Sequence, residues 1–158
     1  MSNMSLTSLE AMSRKATKLA SVFTLERLGF LYARIALGAA FLSAVASRFG
    51  FWDERVGWDS FVKFTRYTAE VNSFMPASTI PFLAWAATAA ELSLGLALIV
   101  GFRLRWVALG CSLLLAVFAT AMAISFGIKE PLDYSAYSAS AAALLLALSA
   151  QPQGRVNS

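Results

Sequence analysis

The chain has 158 residues, of which 58% are hydrophobic and only 14% are charged. Soluble domains carry about 25% charged residues, so this composition excludes an ordinary soluble domain and indicates a membrane protein. The net charge of +4 is spread along the chain without a basic block, so nucleic acid is not an expected partner. The sequence contains no histidine, so no metal site is predicted and neither haem nor zinc is an expected cofactor.

Residues 1–26 are predicted to form a cytoplasmic amphipathic leader. Apolar residues recur there at helical spacing and basic residues fall elsewhere on the helical wheel: Leu9, Met12, Ala16, Leu19 and Phe23 against Arg14, Lys15 and Lys18. This pattern is typical of a helix that lies on an anionic membrane surface, so membrane lipids are expected partners.

Residues 27–151 are predicted to form one membrane domain with four spans. At 1.5 Å per residue, about 20 helical residues cross a hydrocarbon core of about 30 Å. The predicted spans are about residues 28–47, 80–100, 106–127 and 134–150. The loop between the first two spans is rich in aromatic residues and has one apolar helical face, which predicts an interfacial helix. A polar tail follows at residues 152–158.

The predicted fold is therefore all-α, an integral membrane antiparallel four-helix bundle with an N-terminal amphipathic helix and an interfacial helix between spans 1 and 2. Seven basic residues lie on the side of the leader, the 101–105 turn and the tail, against five on the opposite side. The positive-inside rule then places both termini of this multi-pass protein in the cytoplasm.

Two charged residues, Arg34 and Glu91, lie inside predicted spans. A charge at the centre of a bilayer costs about 2.5–3.5 kcal/mol on insertion scales, so such residues usually face the protein interior and have a task. Arg34 is about 9 Å and Glu91 about 14 Å from the cytoplasmic face, which makes a direct ion pair geometrically reasonable. Gly38 shares a helix face with Arg34, and Thr88 and Gly95 share one with Glu91, which leaves room for a ligand group.

The role of this pair stays open at the level of sequence. It can be a structural ion pair that fixes helix pairing, or a site where Glu91 accepts a proton or anchors a ligand. Two tyrosines that open the fourth span near acidic residues are further candidates, although interfacial tyrosines are common. The candidate ligand-binding residues are Arg34, Gly38, Thr88, Glu91, Gly95, Tyr134 and Tyr137, with Glu91 as the candidate catalytic residue.

Three motifs carry a resemblance to a known family. They are Arg34-x-x-x-Gly38-x-x-Phe41, Glu91-x-x-x-Gly95 followed by Gly101-x-Arg103, and the stretch 127–134 before a last span that starts rich in serine and alanine. In this order they resemble the DoxX-like family of four-helix bacterial membrane proteins, over most of residues 28–150. The resemblance implies a bacterial inner-membrane subunit associated with quinone-linked or thiol-stress oxidoreductase systems. With Cys111 as its single cysteine, the chain departs from an autonomous thiol reaction.

The leading hypothesis is a membrane subunit of a quinone-linked oxidoreductase system that binds a lipophilic ligand near Arg34 and Glu91. In it, Glu91 exchanges protons or accepts a hydrogen bond, and Arg34 stabilises negative charge on a reduced ring oxygen. Whether the chain is an enzyme stays open, since any redox activity would use a bound quinone-like carrier or an oxidoreductase partner subunit. The alternative is a non-catalytic scaffold, assembly or ligand-binding partner, with the charged pair as structural glue. A homo-oligomer is compatible with both.

Overall fold

The computed structural model describes residues 6–52 and 57–150, with side chains from residue 25 onwards, and all regular structure in this part is helical. A short 3-10 turn, Ala77–Thr79, leads into the third helix. The helices are α1 (Leu6–Arg48), α2 (Trp58–Val71), α3 (Ile80–Val100), α4 (Leu104–Phe126), α5 (Lys129–Asp133) and α6 (Ala136–Ser149). The predicted all-α membrane-type bundle is confirmed.

Two compact units divide the chain, residues 1–32 and residues 33–158. As far as it is described, the first unit is a single helical stretch, and α1 runs unbroken past the leader border predicted near residue 26. The side chains that define the predicted amphipathic face lie outside the described residues, as does the tail at residues 152–158.

Three described stretches are long and apolar enough to cross a membrane: Leu25–Arg48, Ala77–Val100 and Leu104–Phe126. The helix at the fourth predicted span is shorter. It has 14 residues, or about 21 Å, because α5 and a left-handed Ser135 (φ 55°) delay its start to Ala136. Large apolar side chains such as Leu113 and Leu145 are about two-thirds exposed, as expected of surfaces that face lipid.

The close contact between α1 and α3 explains the small residues on both helices. A Cβ added to Gly38 would lie 3.1 Å from the Gly95 carbonyl oxygen, and one added to Gly95 would lie 3.1 Å from the Phe41 Cβ. The two backbones therefore approach closely, as small residues allow in membrane helices. As residue numbers increase along α1, the residues that they contact on α3 have decreasing numbers, so the two helices are antiparallel.

A common apolar core joins α1, α3, α4 and α6, and α4 packs most extensively along α6. Ser140 of α6 donates a hydrogen bond to the Ser112 carbonyl of α4, at 2.8 Å. The buried core residues are Leu37, Phe41, Leu98, Ala108, Cys111, Ala143, Leu146 and Ala147.

The predicted helix between the first two spans is α2, which packs against α3 and α4. Near its start, the Phe61 ring packs against Phe49 and Trp85, with ring centroids 5.7 and 4.4 Å away. At its last residue, Ser125 of α4 donates a hydrogen bond to the Val71 carbonyl at 2.6 Å. Both ends of α2 are therefore fixed to the bundle, and its middle turns cover the region between α3 and α4.

Candidate functional site

A buried ion pair joins the end of α1 to the middle of α3. Arg48 is 8% exposed and Glu91 3% exposed. The Arg48 Nη2 lies 2.7 Å from Glu91 Oε1 and 2.6 Å from Oε2, while Nη1 donates to Thr88 Oγ1 at 2.9 Å. The Thr88 hydroxyl in turn donates to the Ala84 carbonyl, one turn earlier on α3. We call Arg48, Thr88 and Glu91 the polar cluster.

The ring of Phe64, on α2, covers the Arg48 guanidinium at 3.9 Å from the ring centroid. A desolvated cation over an aromatic face is stabilised by about 2 kcal/mol. Three elements therefore hold Arg48, since α3 supplies the hydrogen-bond acceptors, α2 supplies the aromatic face and α1 supplies the side chain itself.

One oxygen atom of the polar cluster receives no directed hydrogen bond. Although Arg48 Nη2 is close to both carboxylate oxygens of Glu91, it donates a directed hydrogen bond to Oε1 alone. Glu91 Oε2 is buried and has no hydrogen-bond partner among the described residues. Buried polar atoms are usually satisfied, so Oε2 is the atom of this cluster that can accept a donor from elsewhere.

The predicted ion pair between Arg34 and Glu91 is wrong, because Arg48 takes the place assigned to Arg34. The Arg34 guanidinium lies beside Gly101, at the end of α3, where an added Cβ would lie 2.7 Å from Nη1. Glu91 is ten residues away along α3, or about 15 Å. The depth estimate failed because the register of α1 on α3 is set by the contact of Gly38 with Gly95, not by where each apolar run begins.

Arg48 is the functional candidate that sequence reasoning missed. It directly follows the predicted first span and was therefore counted among the basic residues of the loop. The signal was available, since Arg34, Phe41 and Arg48 are spaced by seven residues and so lie on one helix face. Extending this face of α1 beyond Phe41 by about two turns would have found it.

The other predicted site residues fall into three groups, of which Tyr134 and Tyr137 are the third. Thr88 and Glu91 are brought together as predicted, while Gly38 and Gly95 form the close α1–α3 contact nearer the Gly101 end of the bundle.

Tyr134, at the end of α5, is 67% exposed, and Tyr137 on α6 is partly exposed. No contact among the described residues joins either tyrosine to Glu91. Tyr134 instead lies near Tyr67 of α2. Burial raises the pKa of the Tyr67 phenol, and the nearby Tyr134, Glu130 and Glu70 raise it further.

An apolar cavity of about 390 Å³ lies between α2, α3 and α4. That volume is within the range of about 300–1,000 Å³ typical of small-molecule sites. A second, adjoining cavity of about 450 Å³ shares part of its wall, including Asn72, Leu83 and Val117. We call the two together the apolar groove. Val117 is 55% exposed, so the groove opens to the protein surface.

Phe64 connects the apolar groove to the polar cluster. Its ring lines the groove and also covers Arg48. On α3, Ala87 and Ala90 line the groove, whereas the neighbouring Thr88 and Glu91 belong to the cluster. The groove and the polar cluster therefore lie on neighbouring faces of α3, and the Phe64 ring contacts both.

The DoxX family model matches residues 29–125, about three-fifths of the chain. The matched stretch contains α2, α3 and all but the last residue of α4, which are the helices that line the groove. It also contains Arg34 and the polar cluster. A search of curated proteins and a search of solved structures found no match. On the strength of the family match, this chain belongs to the DoxX family, and its long apolar helices make it a membrane protein.

Proposed function

We propose that this chain is a membrane subunit that binds a lipophilic molecule in the apolar groove and works with a quinone-linked oxidoreductase system. The observation that carries the proposal is the position of Phe64, which lines the groove and covers Arg48 of the polar cluster. An apolar groove beside a few convergent polar groups is the usual arrangement of a site for a lipophilic ligand. In the proposed arrangement both termini lie in the cytoplasm of a bacterial cell, and the protein is an inner-membrane one.

The chemistry of the site fits a ring that carries a hydroxyl group and an apolar chain. The groove walls supply apolar and aromatic side chains for the body of the ligand. Glu91 Oε2 is a buried acceptor that contacts Arg48 but receives no directed hydrogen bond among the described residues, and a hydroxyl of the ligand can supply one. A bound quinone would supply two-electron, two-proton redox chemistry, as the carrier of such a system.

The residues of this chain have distinct proposed roles. Glu91 accepts a hydrogen bond or a proton from the ligand head, because its Oε2 receives no directed hydrogen bond among the described residues. Arg48 takes the role first expected of Arg34 and stabilises negative charge at this position. Phe64 lines the groove and covers Arg48, so we expect its ring to rotate before a ligand head reaches the polar cluster.

A scaffold role is the second candidate, and one observation favours it. The hydrogen-bonding and aromatic contacts of Arg48 are filled by Thr88, Glu91 and Phe64, as expected of structural glue between α1, α2 and α3. This candidate predicts that the charges serve only to pair the helices. An exchange of the two, Arg48→Glu with Glu91→Arg, would then keep function, whereas a ligand site should lose it.

Ala90→Phe tests ligand binding without touching the polar cluster. Ala90 lines the groove, whereas Ala89, its neighbour on α3, is exposed and does not line it. We expect Ala90→Phe to weaken binding of a ubiquinone analogue by about tenfold or more, because the new ring fills the groove, and Ala89→Phe to leave binding unchanged. Binding is measured by quenching of tryptophan fluorescence in detergent. Equal binding by both variants would refute the groove as the site.

Glu91→Gln then tests the head-group role. Gln keeps the shape of the side chain but removes the charge and the ability to take up a proton. We expect electron transfer in reconstituted membranes to fall by about tenfold or more, while the folded fraction is checked by circular dichroism. If the variant binds the quinone analogue and supports electron transfer as well as the parent, the role of Glu91 is refuted.

A further inference from the structure

Three arginines from the turn, α4 and α1 lie near the turn between α3 and α4, and no acidic side chain described within residues 33–150 lies there. Arg103 and Arg105 belong to the turn and the first turn of α4, and Arg34 reaches Gly101 from α1. Within residues 33–150, the described acidic residues lie on α2, on α5 and at Glu91. The positive charge at this turn is therefore unbalanced within the described part of the unit.

The glycine at residue 101 fixes where the Arg34 guanidinium lies. Gly101 has φ 83° and ends α3 in the left-handed conformation. An added Cβ there would lie 2.7 Å from Arg34 Nη1 and 3.4 Å from Cζ, so the guanidinium rests against bare backbone. Arg34 is partly buried, and its Nε is buried without a hydrogen-bond partner. In contrast to Arg48, this arginine is positioned without any described side-chain acceptor.

The depth of this turn in the membrane suggests which molecule supplies a hydrogen-bond acceptor to Arg34. Residues 101–103 join two stretches that are each long and apolar enough to cross the membrane, so the turn lies where lipid headgroups lie. The start of α4 has no side-chain cap, and while the Trp106 and Val107 N–H groups donate to the Arg103 carbonyl, those of Leu104 and Arg105 are available to an anion. A guanidinium pairs with two oxygens of a phosphate, and several arginines together favour a headgroup with net negative charge, because the quaternary ammonium of a zwitterionic headgroup would be repelled by them.

We propose that Arg34, together with Arg103 and Arg105, binds the phosphate of an anionic phospholipid at the α3–α4 turn. Gly101 is the positioning residue, because only a residue without a side chain leaves this space to the guanidinium. The site is independent of the apolar groove, which lies between α2, α3 and α4 beside the opposite end of α1. Its success or failure therefore does not depend on the proposed quinone-linked function.

The test uses the full chain in a neutral detergent with dioleoyl phosphatidylglycerol, dioleoyl phosphatidylcholine or inorganic phosphate as the probe. Native mass spectrometry measures bound lipid across a titration. We expect phosphatidylglycerol to bind at least about tenfold more tightly than phosphatidylcholine, and Arg34→Gln to remove most of this preference. Arg66→Gln is the matched control, since Arg66 is an exposed arginine on α2 and should keep the preference.

Two further variants keep the proposal falsifiable if Arg34→Gln does not fold. Arg103 is exposed, so Arg103→Gln should fold and lower phosphatidylglycerol affinity by about threefold. Arg34→Lys keeps the charge without the planar fork and should bind with intermediate affinity. The proposal is overturned if the two lipids bind equally. It is also overturned if Arg66→Gln loses as much affinity as Arg34→Gln, or if inorganic phosphate displaces phosphatidylglycerol at equal concentration.

Discussion

Two arginines on one face of α1 have opposite surroundings. Arg48 is enclosed by Glu91, Thr88 and Phe64, whereas Arg34, two heptads earlier, lies against Gly101 with its Nε unpaired. They are about 21 Å apart along the helix. The difference arises on α3, which presents a carboxylate to one arginine and a bare glycine to the other. An intramembrane charge is therefore understood only when the facing residue of the partner helix is known.

The largest expected effect is the removal of Glu91, which would leave Arg48 as an uncompensated buried charge. Glu91→Leu should lower the free energy of unfolding by about 3–5 kcal/mol, the usual result of breaking a buried ion pair. Arg34→Met should lower it by less than about 1 kcal/mol, because no described ion pair is lost. Unfolding in mixed micelles by a denaturing detergent measures both. Equal losses in the free energy of unfolding would show that the two arginines do not differ in their contribution to stability.

An intermediate effect is expected from the aromatic side chain over Arg48. Phe64→Leu should lower the free energy of unfolding by about 2 kcal/mol, through the lost cation–π contact and the smaller side chain. Phe82→Leu is the control, since Phe82 is on α3 and 74% exposed, and it should change the value by less than about 0.5 kcal/mol. The same micelle titration applies. A Phe64→Leu variant as stable as the control would show that Arg48 does not need its aromatic cover.

The smallest expected effect is at the contact between α4 and α6, far along the chain from both arginines. Ser140→Ala removes the hydrogen bond to the Ser112 carbonyl and should lower the free energy of unfolding by about 0.6 kcal/mol. Ser138→Ala, at an exposed position on the same helix, should have no measurable effect. If Ser140→Ala lowered the free energy of unfolding as much as Glu91→Leu, the ion pair would not be the dominant polar contact.

Much of the fold was predictable because bilayer thickness and helical periodicity are strong constraints. Apolar run length predicted the positions of the long helices, and 3-4 spacing predicted that Thr88, Glu91 and Gly95 share one face of α3, which is buried. α6 begins at Ala136, two residues after the approximate start predicted for the fourth span, because the turn at Ser135 has a left-handed backbone conformation that serine seldom adopts.

The partner of Glu91 could not be predicted by counting residues from the ends of apolar runs. Run ends tell where a helix can leave the hydrocarbon, but they do not fix how far one helix slides along another. That register is decided by the fit of Gly38 against Gly95, a contact between backbones that hydropathy does not measure. The apolar groove was also unforeseen, since it arises where α2 rests on two other helices and no single segment encodes it.

The pairing of Glu91 is tested most directly by two double-mutant cycles measured on the full chain in the same micelles. One cycle combines Arg48→Met with Glu91→Leu, and the other combines Arg34→Met with Glu91→Leu. We expect a coupling energy of about 2–3 kcal/mol in the first cycle and less than about 0.5 kcal/mol in the second, because only Arg48 contacts the carboxylate. Strong coupling of Glu91 to Arg34 with none to Arg48 would contradict the arrangement described for this bundle.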